Sequence, residues 1–441
     1  MKSFSVLVFV ASSFFLTSGQ TPSGTPAGPS SQTSARIKNF GSSLQKYEKK
    51  RKQTANLNAK NDPLKSIDNK TDDDEVIKIE TGLVLHDLLV SDRAGNVVTQ
   101  LKGSDFLLLE DQVPQSIEVF AASENSRIPR SIVLVIDTSL LQFPFLKMST
   151  DAAKTLVDKL RPDDEMAIVT ADLILHSDFT ADKTLLKATL NEVEKRGIEY
   201  ASWYRRGARK NDQGYEHAVN IGRGGQFETL LAVLNEMFDD KRKQRVIIFQ
   251  GDGGHMIWLK PDKNLPYPVS HTTRMNSGMK YSGESAIKKF GFGEIEEAIE
   301  VSRVTIYSVI PGIRFFGLPK RERANRARIS WAKVNEAFGW KTDYPAEMTR
   351  MFEDREENVR TAGQAAMFKV AELSGGNTAV MEKPEDAGRI YADILGVIES
   401  RYVIGYYPTD GVPSERRRSV KVEVRGRPDY TVTTRSHYIL K

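Results

Sequence analysis

Residues 132–136, Ile-Val-Leu-Val-Ile, form an unbroken apolar run that ends at Asp137. A strand with one wet face alternates polar and apolar side chains. A strand without alternation is buried on both faces, as in the middle of a parallel sheet covered by helices. "RVIIFQ" (245–250) and "VTIYSVI" (304–310) repeat the pattern, and "EMAIVTAD" and "LILHSDF" read as a strand pair. Between them the period changes. Leu146, Ala153, Leu156, Val157 and Leu160 fall at helical spacing, and so do Phe227, Leu230, Leu231, Leu234, Met237 and Phe238. "EIEEAIEVS" (294–302), "TAGQAAMFKVAELSGGN" with its Gly-Gly stop, and "DAGRIYADILGVI" (386–398) are further helices. Strands alternating with helices predict an α/β fold over 128–400, a mainly parallel sheet with helices on both faces. Residues 199–225, 253–293 and 312–358 break the rhythm and read as long loop insertions at the functional rim.

The two ends of the chain have the other periodicity. Short β-prone segments fill 76–127, and "RYVIGYYP", "SVKVEVRG" and "DYTVTTRSHYI" fill 401–441. Neither set has enough strands to stand alone. Together they predict a β-sandwich formed by the N- and C-terminal segments, with the α/β domain inserted in it. Residues 1–19 read as a signal peptide: Lys2 is the basic start, Phe4–Leu16 the apolar stretch, and small residues precede Gln20. The expected location is therefore exported, periplasmic or extracellular. Residues 20–75 read as a disordered tether and basic arm.

Charge is uneven. The net charge is +5, yet 36–60 alone hold eight Lys/Arg and one Glu, so the remainder is slightly acidic. Such an arm predicts weak contact with an anionic surface, and in an exported protein no nucleic acid is expected. With no cysteine, the fold depends on neither a disulfide nor a thiol ligand.

Beyond the first strand, Asp137-Thr138-Ser139-Leu140-Leu141 begins with oxygen ligands and ends in carbon. An apolar strand ending in Asp-x-Ser-x-Ser, a Thr loop about ninety residues on and a second strand ending in Asp-Gly resemble a von Willebrand factor A domain. The flanks, "VSDRAGNVVTQLKGSDFLLLEDQVPQSIEVF" and "RYVIGYYP…RSVKVEVRGRPDYTVTTRSHYI", resemble the VWFA-related domain proteins of Acidobacteria, over roughly residues 76–440. The resemblance implies a Rossmann-like von Willebrand A fold, a binding or adhesion role toward a protein or glycan partner, and a metal-ion-dependent adhesion site. Carried across, that site falls on Asp137, Ser139, Thr229 and Asp252, and it is degenerate. Leu141 stands where a second serine belongs, and Gln226 stands in the Thr loop "GGQFETLL". No cofactor is expected; Mg2+, if held at all, would rest on few protein oxygens and several waters.

The rim offers Leu140, Leu141 and Phe143 after the strand end, and Trp203, Tyr204 and Arg205 in "YASWYRRGARK", as partner-binding residues. Two alternatives stand beside this. A phosphohydrolase could use Asp137 as nucleophile, but Ser139 replaces the general acid two residues on, and no acid–base–nucleophile set assembles, so the chain is not read as an enzyme. An envelope scaffold could tether through the basic arm.

Overall fold

A computed structural model describes residues 31–47, 83–122, 128–139, 142–205, 225–240, 242–254, 259–260, 290–338, 346–408 and 416–439. The signal segment, Leu140, Leu141 and the insertions at 206–224 and 261–289 lie outside these residues. The chain opens with helix α1 (Ser31–Asn39) and a short turn at 42–44. The tether expected over 20–75 therefore does not hold for 31–47. The Pro/Gly density ends at Pro29, and Arg36 beyond it finds acidic partners on the body. Arg36 donates to Asp178 Oδ1 at 2.9 Å and also pairs with Asp239. Main-chain N–H groups of Gly41 and Ser43 both donate to the Glu236 carboxylate at 2.8 Å. Phe40, Leu44 and Tyr47 pack against the core. Removing the double acceptor in Glu236→Ala should release this brace, so trypsin should cut at Arg36, Lys38 and Lys46 several-fold faster. An unchanged cleavage rate would mean that the apolar contacts alone hold it.

Four short strands follow: β1 (Val84–Ser91), β2 (Phe106–Glu110), β3 (Val113–Gln115) and β4 (Val119–Ala121). The α/β unit comprises β5 (Arg130–Ile136), α2 (Phe143–Asp158), β6 (Glu165–Thr170), β7 (Ile174–Thr180), α3 (Lys183–Arg205), α4 (Gln226–Glu236) and β8 (Gln244–Gln250). It continues through α5 (Phe292–Ser302), β9 (Thr305–Pro311), α6 (Lys320–Phe338), α7 (Ala346–Ser374), β10 (Thr378–Met381) and α8 (Ala387–Glu399). Strands β11 (Tyr402–Tyr406), β12 (Arg417–Val424), β13 (Thr431–Thr433) and β14 (His437–Ile439) complete the described chain.

The unbroken apolar runs become the centre of a six-stranded sheet of order β10-β9-β8-β5-β6-β7. All its pairs are parallel except β6 with the edge strand β7. Every residue of β5 is buried, as the lack of alternation requires. One face, through Val133, Val135, Ile247 and Phe249, packs on the apolar sides of α4, α5 and α7. The other, through Ile132, Leu134, Ile136 and Ile248, packs on α2, α3 and α8.

The remaining strands form two four-stranded antiparallel sheets, β13-β1-β11-β4 and β14-β12-β2-β3. Each mixes strands from both chain ends: β1 pairs with β11 and β2 with β12. Inward side chains from both sheets share one apolar cluster, among them Val84, Leu88, Phe106, Tyr402, Ile404 and Val422.

The 312–358 stretch is not a long loop. It holds α6 and the first part of α7. Residues 320–338 are rich in Ala, Arg, Lys and Glu, good helix formers with few apolar anchors. Polar ties stand in for an apolar stripe here: Arg323 Nε donates to Glu357 at 3.1 Å and Ser330 Oγ to Glu356 at 2.8 Å. Residues 199–205 likewise belong to α3.

Candidate functional site

The sheet order reverses between β5 and β8, and the crevice at such a switch point is where open α/β sheets bind ligands. Parallel register sets Ile136 beside Gln250, and Asp137 N–H donates to the Gln250 carbonyl at 3.0 Å. Asp137 and Asp252 therefore emerge side by side, both buried. Ser139 folds back on Asp137: its N–H donates to Oδ1 at 2.9 Å and its hydroxyl to Oδ2 at 3.1 Å. It does not cap α2, whose N-cap position is Gln142.

Gln226, at the start of α4, lies between the two carboxylates. Its Nε2 donates to Asp137 Oδ2 at 2.7 Å and to Asp252 Oδ1 at 2.8 Å. Its Oε1 accepts from Gly253 N–H at 2.7 Å, which fixes the amide's orientation, since a main-chain N–H can only donate. Arg360 of α7 closes the other side, with Nη1 donating to Asp252 Oδ2 at 2.5 Å and Nε to Glu356 at 2.9 Å. It reaches this point because α7 touches the Asp252–Gly253 turn backbone to backbone. A Cβ on Gly253, which has φ 71°, would meet Gly363 O at 2.2 Å, and one on Gly363 would meet Gly253 at 2.6 Å. Only glycine allows that approach.

Thr229 is not at the carboxylates. It is fully buried one turn further along α4, where its hydroxyl accepts from Leu173 N–H at 3.2 Å. Of the partner-binding candidates, Phe143 is half-buried at the start of α2. Trp203 is 7% exposed, its ring 5.9 Å from that of Tyr200 in a stacked pair, so it belongs to the packing of α3. Leu140, Leu141 and the side chains of Tyr204 and Arg205 lie outside the described residues. Arg360 was not singled out from the sequence; Gly363 within an otherwise strong helix former, three residues on, was the available signal.

A hard divalent cation between Asp137 and Asp252 would need oxygen lone pairs directed at it. That point is instead reached by an amide NH2, which has donors only. Asp252 is already neutralised by a guanidinium. As arranged, these residues do not fit Mg2+, and Thr229 does not join Asp137, Ser139 and Asp252 at one point. Among the described residues, no group of three or more His, Asp or Glu side chains is placed to hold a metal ion.

Burial pushes the Asp137 carboxyl up to about 7, and the charge of Asp252 adds to this, while the Ser139 N–H and hydroxyl oppose it. For Arg360 burial works against the charge, but Glu356 and Asp252 outweigh it and raise its pKa. The Asp137 shift has a sign that can be tested. A carboxyl whose pKa is higher folded than unfolded binds its proton more tightly when folded. Its contribution is fully present below about pH 4 and disappears as pH rises through about 7. Stability should therefore fall by roughly 2–4 kcal/mol from this group between pH 5 and 8. Urea titrations at both pH values should show that fall in the wild type and its near-absence in Asp137→Asn. An equal slope in both would mean that Asp137 is ionised throughout.

No protein-family model matches the chain, and no curated protein matches it. Solved structures do. The conserved hypothetical protein BatB of Bacteroides thetaiotaomicron matches at 14% identity, covering 62% of this chain and 98% of its own, with a TM-score of 0.32. The vWF domain of a type V pili tip protein from Porphyromonas gingivalis matches at 10% identity over 62% of this chain and 96% of its own, with a TM-score of 0.30. The manganese-loaded TRAP protein of Plasmodium vivax matches at 9% over 75% and 98%, with a TM-score of 0.28. Scores this low say nothing about ligand or activity, and the α/β description rests on strand order and register.

Proposed function

We propose that this chain is an exported von Willebrand A-type binding module that recognises a protein or glycan partner at the carboxyl-end rim of its sheet without a divalent metal. One observation carries this reading: the Gln226 amide bridges Asp137 and Asp252, where a metal-dependent site would need its cation. The rim around this lock includes the first two turns of α2, where Phe143 is half-buried and Pro144 and Met148 are exposed. We take the two antiparallel sheets as one sandwich, into which the unit at 128–400 is inserted. No described helix is long and apolar enough to cross a membrane.

The hydrolase alternative fits poorly. Both oxygens of Asp137 already accept hydrogen bonds from Ser139 and Gln226, so neither is free to attack phosphorus. The tethering alternative loses part of its charge, because Arg36 is paired with two aspartates.

The test is binding of the labelled mature chain to the producing cell's isolated envelope, in Mg2+ and in EDTA. Equal binding in both, weakened about tenfold by Phe143→Ala, is expected. Binding abolished by EDTA, or lost steeply with salt and indifferent to Phe143, would contradict it.

A further inference from the structure

A second polar site lies at the opposite pole of the six-stranded sheet, where the amino-terminal ends of its strands meet β1 and β11. A cleft of about 30 Å3 is lined there by Asp87, Lys243, Arg245, Arg303 and Arg435, with Val403 on its apolar wall. The cations come from separate parts of the chain. Arg245 is near the start of β8, Arg303 is the left-handed residue that ends α5 (φ 55°), and Arg435 lies between β13 and β14. Arg435 thus comes from the antiparallel sheets and the other two from the α/β unit.

Lys243 is balanced, since its Nζ lies 2.7 Å from Glu165. The three arginines are not. Arg245 donates to main-chain carbonyls, Nε to Asp240 at 3.3 Å and Nη1 to Ser302 at 2.7 Å. Arg435 is 4% exposed, yet among the described residues its Nε and Nη1 have no hydrogen-bond partner, and neither does Arg303 Nε. The carboxylate in the cleft, Asp87, accepts from Thr305 Oγ1 at 3.1 Å. Among the residues that line the cleft, and with Lys243 paired, three guanidinium groups face Asp87 alone, an excess of two positive charges around a space larger than one water needs.

Crowding of like charge acts on each member. Burial holds Arg435 down to about 9, and Arg303, Arg245 and Arg401 add to this against the pull of Asp87. Burial and then Arg303 hold Arg245 down to about 10, against the pull of Asp240 and Asp239. The neighbouring His86 is also held well below its usual range, by burial first and then by Arg435 and Arg303. Buried like charges with unmet donors are costly unless an acceptor of opposite charge joins them. A tetrahedral dianion matches both the charge excess and the number of free N–H groups, and guanidinium forks suit its oxygens.

We propose that this cleft binds a small tetrahedral oxyanion, phosphate or sulfate, held by Arg435, Arg303 and Arg245 at the seam between the α/β unit and the antiparallel sheets. The site is independent of the rim and of the reading given to it. A bound anion would neutralise the seam and fasten the two parts of the molecule together.

The experiment is thermal unfolding of the full mature chain near neutral pH at constant ionic strength. Sodium chloride is replaced stepwise by phosphate, by sulfate or by glycerol phosphate. The expected result is a saturable rise in Tm of roughly 3 °C with phosphate or sulfate. Arg435→Met should abolish the rise, and Arg303→Asn, which keeps a residue tolerant of the left-handed conformation, should weaken it at least tenfold. Arg242→Gln, a change at an exposed site, should respond as the wild type does. A response to glycerol phosphate stronger than to phosphate would also support the site and assign it to a phosphate ester. No rise when phosphate or sulfate replaces chloride, or a rise that survives Arg435→Met, would overturn the proposal. If Arg435→Met does not fold, an unweakened response in Arg303→Asn overturns it instead.

Discussion

Arg360→Met is expected to lower the unfolding free energy by about 3–5 kcal/mol, the usual cost of leaving a buried charge without its partner. Arg360 serves two carboxylates at once, Asp252 at 2.5 Å and Glu356 at 2.9 Å. Methionine keeps most of the side chain's volume, so little of the loss should come from packing. Asp252 would retain Gln226 Nε2 and Gly254 N–H as donors and lose the Arg360 guanidinium. The loss should be smaller at pH 5 than at pH 8, because a carboxyl that has lost this counter-charge can take up a proton instead. Urea unfolding at both pH values measures this, with Arg360→Lys expected to recover only part of the loss, since lysine cannot fork between two acceptors. A loss below about 1 kcal/mol, the range of surface pairs, would place Arg360 outside the lock.

Glu110→Ala should cost a similar amount, about 3–5 kcal/mol, for a different reason. Glu110 lies between the two antiparallel sheets. It accepts from Arg418 Nη1 at 2.6 Å and from Tyr438 Oη at 2.6 Å, and the Tyr406 hydroxyl also donates to it. Alanine would leave a buried guanidinium and two buried hydroxyls without their acceptor. Glu110 lies on β2 from the first part of the chain, while its three partners lie on β11, β12 and β14 from the last. Hydrogen exchange should therefore speed up together in β1–β4 and in β11–β14, with β5 and β8 still protected. Faster exchange in only one of the two sets would mean that the chain ends do not share a cooperative unit.

How much of this could be read from the residues differs from place to place. Ile132–Ile136 and Val246–Phe249 declared a doubly covered sheet because burial on both faces removes alternation. Helix α6 and the first part of α7 escaped the same reading. Their contacts run largely through Arg323, Glu356 and Glu357, and an ion-paired helix carries no clear apolar stripe. Gln226 was visible as a departure from the Thr loop, but not as a bridge. Its role depends on Gly253 N–H, which turns the amide so that the nitrogen faces both carboxylates. Arg360 was beyond reach because it is 108 positions from Asp252, and only the Gly253–Gly363 contact brings the two together. The order in 31–47 was hidden by composition, since a basic segment looks solvated until Asp178, Asp239 and Glu236 are placed beside it.

The central claim is that protein groups, a side-chain amide and a guanidinium, occupy the switch point where a cation would otherwise join Asp137 to Asp252. Calorimetric titration of Mg2+ and of Mn2+ into the full chain tests this most directly, with Asp137→Ala and Gln226→Gly alongside. The expected result is no saturable heat for wild type or Asp137→Ala, and weak binding that appears only once Gln226→Gly removes the bridging amide. Saturable, micromolar binding by the wild type that Asp137→Ala abolishes would contradict it.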